Sequence, residues 1–156
     1  MFSQTAEYAL RAMVHLAYCG DTPVNSENIA EATHVPPGYL SKVMRDLVVA
    51  KIVTSQRGPN GGFTLLRQPD EVTILDVINA VDPVRRITEC PLGNPAHVKL
   101  CPLHQRLDDA IATIEESFRR TTIAEVLESN RMRGRCATLT RGDKPVPLRK
   151  SARNGE

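Results

Sequence analysis

The sequence has 156 residues, 41% hydrophobic and 24% charged, with a formal net charge of +2, which fits one domain or one domain with an extra element. No run reaches the roughly eighteen apolar residues of a membrane helix, and the N-terminus lacks the basic-then-apolar order of a signal peptide. We therefore expect a cytoplasmic protein that does not enter a membrane. In that compartment, clustered cysteines more often bind metal or do redox chemistry than form structural disulfides.

The charge is distributed unevenly along the chain. The segment from residue 131 onward holds eight Lys/Arg and two acidic residues, a net charge of +6, which leaves −4 on residues 1–130. A nucleic-acid-binding surface in the folded part must therefore come from a local basic patch rather than from the overall charge.

The first predicted element is a helix over residues 3–19, where apolar residues recur at helical spacing until Gly20 and Pro23 end the pattern. Glu7 and Arg11 lie four residues apart on this helix, close enough to form an ion pair. A solvated Glu7–Arg11 pair is the simpler interpretation, and a ligand role for Glu7 is the alternative.

Two short helices follow, separated by a tight turn. Asn25 or Ser26 can cap a helix through about residue 32, and residues 34–38 form the turn. A second helix runs from about residue 38 to 49, with Pro37 suited to its start. A longer helix followed by this pair predicts a helix-turn-helix.

The second helix of the pair separates into an apolar stripe and a polar face. The stripe consists of Leu40, Val43, Met44 and Leu47. The polar face carries cations and hydrogen-bonding groups, the types that contact base edges and phosphates. We predict DNA contacts from Tyr39, Ser41, Lys42 and Arg45.

A hairpin is predicted directly after the helix pair. Residues 51–56 and 63–66 read as two short strands, residues 57–62 join them, and Asn60-Gly61 is a strong hairpin signal. A helix-turn-helix followed by a hairpin is a winged helix. Arg57 at the base of the wing is placed to enter a minor groove, and we include the adjacent Gly58 and Pro59 among the predicted DNA-binding residues.

Residues 90–104 hold two of the four cysteines and two of the four histidines: Cys90, His97, Cys101 and His104. The loop follows a helix that Thr73 and Asp76 should cap and that ends at about Val81. Prolines after both cysteines exclude a continuous helix. Thiolate and imidazole donors gathered on one short loop favour a metal or iron–sulfur centre.

The last predicted elements are a long helix over residues 102–120 and a short closing helix from Thr122 to about Leu127. The long helix carries an apolar stripe with no partner helix apparent in this chain, which favours self-association across a two-fold axis. Its members are Leu103, Leu107, Ala110, Ile111, Ile114 and Phe118. Beyond residue 130 the basic chain is predicted to be disordered.

These elements predict a mainly α fold: a winged helix-turn-helix domain with a two-stranded wing and a long C-terminal dimerisation helix. We divide the chain into a DNA-binding domain (1–82, whose first helix also enters the dimer interface), a sensor loop (83–101), a dimerisation helix with a short closing helix (102–130), and a basic tail (131–156).

The chain resembles the Rrf-two family of bacterial winged-helix repressors, of the IscR and NsrR type, over about residues 2–128. The most specific match is residues 57–65, RGPNGGFTL, against the RGPxGGxxL wing of that family. Supporting matches lie at residues 8–12, 39–40, 78–81 and 122–126. The resemblance implies a homodimer that binds a palindromic promoter site and receives its signal through the loop after the fourth helix.

The resemblance also implies an iron–sulfur cluster held by three cysteines and a fourth ligand, either a histidine or a partner's carboxylate. Cys90, Cys101 and His104 match ligand positions, and Glu7 stands where some members place a carboxylate ligand. The middle cysteine is missing, because residues 94–97 read Asn-Pro-Ala-His, so His97 could replace it.

Several alternatives stay open for this loop. Cys90, His97, Cys101 and His104 would suit a 2Fe-2S cluster, which we prefer to 4Fe-4S, or tetrahedral zinc. Cys90 and Cys101 could instead combine with His104 or Glu7 of the other subunit. A loop without metal would leave a regulator that senses thiol state or answers to a protein partner. An enzyme is disfavoured, because no oxyanion or phosphate-binding motif accompanies the thiols.

Overall fold

The computed structural model describes residues 2–90 and 100–132, with side chains through residue 129. Within these ranges the chain forms helices α1 (Gln4–Cys19), α2 (Ser26–Thr33), α3 (Pro37–Val49), α4 (Ile74–Val81), α5 (Pro102–Arg120) and α6 (Ile123–Met132), and strands β1 (Val53–Gln56) and β2 (Gly62–Leu65). The predicted mainly helical winged fold is confirmed. Residue 97 and the predicted disorder beyond residue 132 lie outside the described residues.

Helix α1 is the centre of the core. The Ser3 hydroxyl accepts a hydrogen bond from the Ala6 N–H at 3.2 Å, and Gly20, with φ 65°, ends the helix by donating to the Leu16 carbonyl. Such a left-handed φ favours glycine at the C-terminal cap. The helix packs against α2, α3, α4 and α6, so most of its residues are buried.

The helix-turn-helix forms as predicted. The Asn25 side chain caps α2 by accepting from the Asn28 N–H at 2.8 Å. His34, with φ 53°, turns the chain, and Val35 is buried beneath the turn. Helix α3 then starts at Pro37, and the four residues of its predicted apolar stripe are all buried. Burial of this stripe turns the opposite face of α3 outward.

The wing hairpin is present, and its loop is one residue shorter than the predicted connection over residues 57–62. Val53 pairs with Leu65 and Gln56 with Gly62, so residues 57–61 form the loop. Its left-handed residue is Gly58, at φ 118°. Gly61 is required for space, because a Cβ there would lie 2.9 Å from the Arg57 carbonyl carbon. The Gly-rich motif therefore makes a five-residue loop.

A third extended segment anchors the wing. Val24 forms a bridge with Phe63, with the Phe63 N–H donating to the Val24 carbonyl at 2.8 Å and the Val24 N–H donating back at 3.1 Å. A Cβ on Gly62 would lie 2.6 Å from the Val24 carbonyl carbon, so only glycine fits there. The first strand starts at Val53 rather than at residue 51, because Lys51 has φ 58° and reverses the chain.

Helices α4 and α6 are tied together at their starts. The predicted capping box of Thr73 with Asp76 forms, and Thr122 forms a second one with Glu125. The Ile123 N–H donates to the Val72 carbonyl at 2.9 Å. Helix α6 runs to Met132, beyond the predicted end near residue 127, and it buries Ile123 and Leu127 in the core. The closing helix thus packs into the same core as the winged helix.

Helix α5 has the predicted bounds and is the least covered helix. Its apolar stripe stays open, with Leu103 65%, Leu107 47% and Ile114 41% exposed, and its one buried residue is Asp108. In the described ranges, no helix has the length and apolar character that crossing a membrane requires.

Candidate metal centre and nucleic-acid interface

Three metal-ligating side chains meet at the base of the 90–104 loop. The ligand atoms of Cys90, Cys101 and His104 all lie within 4.8 Å of one another, and the three residues are half-buried. The His104 Nδ1 atom lies 3.1 Å from the Cys101 Sγ and 3.7 Å from the Cys90 Sγ. The fold therefore brings both cysteine sulfurs close to one nitrogen of the His104 ring.

The start of α5 fixes two of these residues. Cys101 is the N-cap of the helix in extended conformation, and Pro102 occupies the first helical position, where a missing N–H leaves no bond unmade. The Gln105 N–H donates to the Cys101 carbonyl at 2.9 Å. Residues three apart are neighbours on a helix surface, so the Cys101–His104 contact follows from their spacing.

Cys90 arrives from a different part of the chain, and an ion pair holds its approach. Arg86 donates two parallel hydrogen bonds to the Asp108 carboxylate, from Nε at 2.7 Å and from Nη2 at 2.6 Å. The Ile87 N–H adds a third to Asp108 at 2.9 Å. Asp108 lies one helical turn beyond His104, so the segment leading to Cys90 is bound beside the other two ligands.

These contacts keep Asp108 ionised. The Arg86 hydrogen bonds, followed by the Ile87 N–H, lower the pKa of Asp108 to about 2. The same bonds to Asp108 raise the pKa of Arg86 above its ordinary value. Hydrogen bonds to the charged form of a carboxylate favour that form, so the pair carries both its charges at neutral pH.

The donor set fits a thiophilic transition metal. Zinc bonds to sulfur at about 2.3 Å and to imidazole nitrogen at about 2.0–2.1 Å, which puts tetrahedral donors less than about 4 Å apart. The distances from His104 Nδ1 to Cys90 and Cys101 match that spacing around one ion. Thiolates with imidazole also match the ligands of iron–sulfur centres. Three donors leave one position of a tetrahedral set for a further ligand.

Of the two other predicted ligands, His97 lies outside the described residues, and Glu7 is not part of this group within one subunit. Glu7 pairs with Arg11, as their spacing indicated. Arg11 also reaches the Thr33 carbonyl at 3.5 Å and lies 5.9 Å from the centre of the Tyr8 ring. Within one subunit Glu7 is therefore engaged on α1 and α2 rather than at the cysteines.

The predicted DNA-contacting residues of α3 lie on its exposed face. Ser41, Lys42 and Arg45 are all exposed. The Ser41 hydroxyl donates to the Pro37 carbonyl at 3.0 Å, and Arg45 lies 3.5 Å from Asp46. Tyr39 is 58% exposed, and its ring meets the buried Tyr8 ring edge-on at 5.9 Å. The contact with α1 leaves the Tyr39 side chain largely available to solvent.

The wing presents a second exposed surface next to α3. Arg57, Gly58 and Pro59 are all exposed. Neither Arg57 nor Lys42 forms an ion pair with another residue in the described part of the chain. Both cations thus keep their charge available for a phosphate or a groove.

Three contacts of the site were not predicted from the sequence: Arg86 with Asp108, Tyr39 with Tyr8, and Val24 with Phe63. For the first there was a signal. His104, Asp108 and Glu115 lie at helical spacing and form a polar stripe beside the apolar one on α5. The two carboxylates of this stripe indicate a cationic partner, and Arg86 pairs with Asp108 and lies 3.7 Å from Glu115.

A helix-turn-helix with a hairpin wing and an exposed polar recognition face defines a winged-helix DNA-binding protein. Comparison with protein families assigns the chain to a particular family. The Rrf2 (Rrf-two) family, described as "Iron-dependent Transcriptional regulator", matches residues 2–129. The chain belongs to the Rrf2 family of transcriptional regulators.

Individual relatives agree with this assignment. An HTH-type transcriptional regulator of Aquifex aeolicus is 33% identical over 136 residues, covering 81% of this chain and 91% of that protein. Among solved structures, CymR, the global cysteine regulator of B. subtilis, is similar with a TM-score of 0.67 and 27% identity, over 83% of this chain and 97% of that one. IscR of T. potens is similar with a TM-score of 0.69 and 25% identity, over 83% and 87%.

Proposed function

We propose that this regulator is a homodimeric repressor that binds a palindromic promoter site, with its DNA affinity controlled by an iron–sulfur cluster on the 90–104 loop. The observation that carries the proposal is the meeting of Cys90, Cys101 and His104 at the start of α5. These ligands join the loop to the one helix whose apolar stripe is open. This proximity supports an effect of the loop on the proposed dimer.

The case for a homodimer rests on α5. Leu103, Leu107 and Ile114 would remain in water in a monomer. Ile111 and Ile114 also line a surface cleft shared with Phe2 and Ile78. A second copy that packs α5 against α5 across a two-fold axis would bury this stripe.

The DNA contacts are assigned to two surfaces. Tyr39, Ser41 and Lys42 are proposed to contact base edges in the major groove, and Arg45 a phosphate. Arg57, with Gly58 and Pro59 beside it, is proposed to enter the adjacent minor groove. A dimer contacts two half-sites about one helical turn apart, so a small change at α5 moves two recognition helices relative to each other.

The proposed ligands are Cys90, Cys101 and His104, completed by His97 or by Glu7 of a second subunit. Mixed Cys/His ligation would give a bound 2Fe-2S cluster a raised reduction potential. The ligands fix the conformation of the loop at the N-terminus of α5. A change in that conformation would alter the fraction of dimers that can bind DNA.

Anaerobic purification tests the cluster. We expect a brown protein with visible absorption and bound iron, and loss of both in a Cys90→Ser/Cys101→Ser variant. Cys19→Ser is the matched control, because Cys19 lies on α1 and is separate from the three-ligand group. A colourless wild-type protein that takes up no iron after anaerobic reconstitution contradicts the cluster.

Selection of bound fragments from genomic DNA, followed by sequencing, tests the operator. We expect an inverted repeat whose half-sites lie about one helical turn apart. Enriched sites without two-fold symmetry would contradict the palindromic part of the proposal and leave the cluster untouched.

Zinc is the second candidate, and the donor set supports it, because two thiols and one imidazole have ligand atoms within 4.8 Å of one another. Metal analysis of the purified protein separates zinc from an iron–sulfur cluster: about one zinc per chain without iron supports zinc.

A thiol sensor without metal is the third candidate, since the same proximity lets Cys90 and Cys101 form a disulfide on oxidation. Metal-free protein with full DNA binding would support it.

A further inference from the structure

We propose that the Arg86–Asp108 ion pair is a positioning device for the candidate metal centre, which holds Cys90 beside Cys101 and His104 before any metal binds. The proposal deepens the proposed function and depends on it for the metal. The part that concerns the geometry of the two thiols stands independently of any metal.

The placement of the pair carries the argument. Asp108 follows His104 by four residues on α5, and Arg86 precedes Cys90 by four. The pair therefore closes the chain just outside the two ends of the 90–104 loop. In the described ranges, the residue 83–90 segment is linked to α5 ahead of Cys90 by the two hydrogen bonds of this pair, by the Ile87 N–H bond to Asp108 and by the contact of Arg86 with Glu115. Cys90 is thus held near its partners by Asp108.

The form of the contact suits a rigid hold. A guanidinium that meets a carboxylate through two parallel hydrogen bonds fixes orientation as well as distance. Asp108 is 7% exposed, and the Arg86 side chain is 43% exposed. Arg86 also reaches Glu115, two turns further along α5, which aligns the segment with the helix axis.

The ion pair should favour metal binding because it brings the two ends of the 90–104 loop together before a metal binds. Bringing the two ends of a flexible loop together costs conformational entropy that grows with loop length. The contacts between Arg86 and Asp108 offset the entropic cost of closing the loop without involving the metal ligands. The two thiols are therefore already adjacent in the metal-free protein. A metal then binds a pre-organised pair rather than two separate thiols.

The same pair could serve only to dock α5, and thiol pairing distinguishes the two roles. In metal-free protein, diamide accepts two electrons and two protons from Cys90 and Cys101 and leaves a disulfide. The rate is followed by mapping the linked peptide, with Cys19 alkylation as an internal reference. Docking alone predicts a changed melting temperature and an unchanged rate in variants that stay folded.

The variants are Asp108→Asn, which keeps the shape and removes the charge, and Arg86→Gln, which replaces a partly exposed side chain and leaves the core intact. Glu116→Gln is the control, because Glu116 pairs with Arg120 on the same helix away from the cysteines. We expect disulfide formation to slow by about tenfold in both variants, as misplaced groups lose effective concentration. Arg86→Lys should recover part of the rate, since it keeps charge without the two-pronged geometry.

Metal uptake supplies the second measurement, with Co²⁺ as the probe because thiolate–cobalt bonds absorb in the visible. We expect weaker Co²⁺ binding in Asp108→Asn than in Glu116→Gln. Wild-type disulfide rates in folded Asp108→Asn and Arg86→Gln would overturn the positioning role, whatever metal is found. If disulfide formation is slowed in the two variants and the wild-type chain binds neither iron nor Co²⁺, the metal is removed from the proposed function and the positioning role stays intact.

Discussion

The winged-helix core and the base of the 90–104 loop are held together in different ways. In the core, α1 packs against four other helices, and residues such as Leu40, Leu47 and Met13 lose contact with water almost completely. At the loop base, the contacts are an ion pair and a group of three polar ligands, next to a helix whose apolar stripe is open. The core is complete within one chain, whereas the loop base keeps its three metal-ligating side chains half-buried and lies next to an exposed apolar stripe.

The strongest test of this difference is on α5. Leu107→Glu combined with Ile114→Glu should convert the proposed dimer to monomers, because burying a carboxylate in an apolar interface costs several kcal/mol per ion. Sedimentation equilibrium measures the result. Leu66→Glu is the control, since Leu66 is similarly exposed but lies at the wing. A double variant that sediments as the wild type would place the dimer interface elsewhere.

A cavity in the core of one subunit should strongly destabilise the fold. Leu40→Ala removes a fully buried side chain and should lower the free energy of unfolding by about 2–5 kcal/mol. Urea denaturation followed by circular dichroism measures the change. Leu66→Ala, at an exposed position, should change stability by less than about 0.5 kcal/mol. Equal losses at the two sites would argue against the core described above.

A smaller effect is expected at the wing, where a substitution should change DNA affinity rather than the stability of the fold. Arg57→Ala should weaken binding to the selected operator by about 1–3 kcal/mol, because it removes a cation that no described residue pairs with. Gel-shift titration at fixed salt measures the affinity. Arg120→Ala, which removes a cation from the far end of α5, is the control. An unchanged affinity in Arg57→Ala would remove this residue from the DNA interface.

The smallest effect is the pH dependence of the Arg86–Asp108 pair. The folded pKa of Asp108 is lowered to about 2, below the unfolded value, so its contribution to stability is fully present above the unfolded pKa. It is lost as the pH falls through the folded pKa. The stability difference between wild type and Asp108→Asn should therefore stay constant near neutral pH and shrink between about pH 4 and pH 2. A difference that persists undiminished at pH 2 would contradict the ion pair.

Local patterns were sufficient for the elements that local forces stabilise. The helical stripe of α3, the capping boxes at Thr73 and Thr122, and the bounds of α5 all depend on residues within a few positions of one another. The RGPxGG segment likewise indicated the wing. Its loop lies within the predicted connection over residues 57–62. The close backbone approach of Gly62 to the distant Val24 was not predicted.

For the site, the sequence alone determined which residues offer thiolate and imidazole donors, and it determined the Cys101–His104 contact, because three positions at a helix start are always neighbours. The four-residue spacing of Glu7 and Arg11 likewise indicated the ion pair that engages Glu7 within one chain. Only the tertiary structure decided that Cys90 joins Cys101 and His104. That outcome depends on Arg86 and Asp108, which lie 22 positions apart. The acidic residues of α5 indicated a cationic partner, but which cation fills that role is decided only once the core has brought the two segments together.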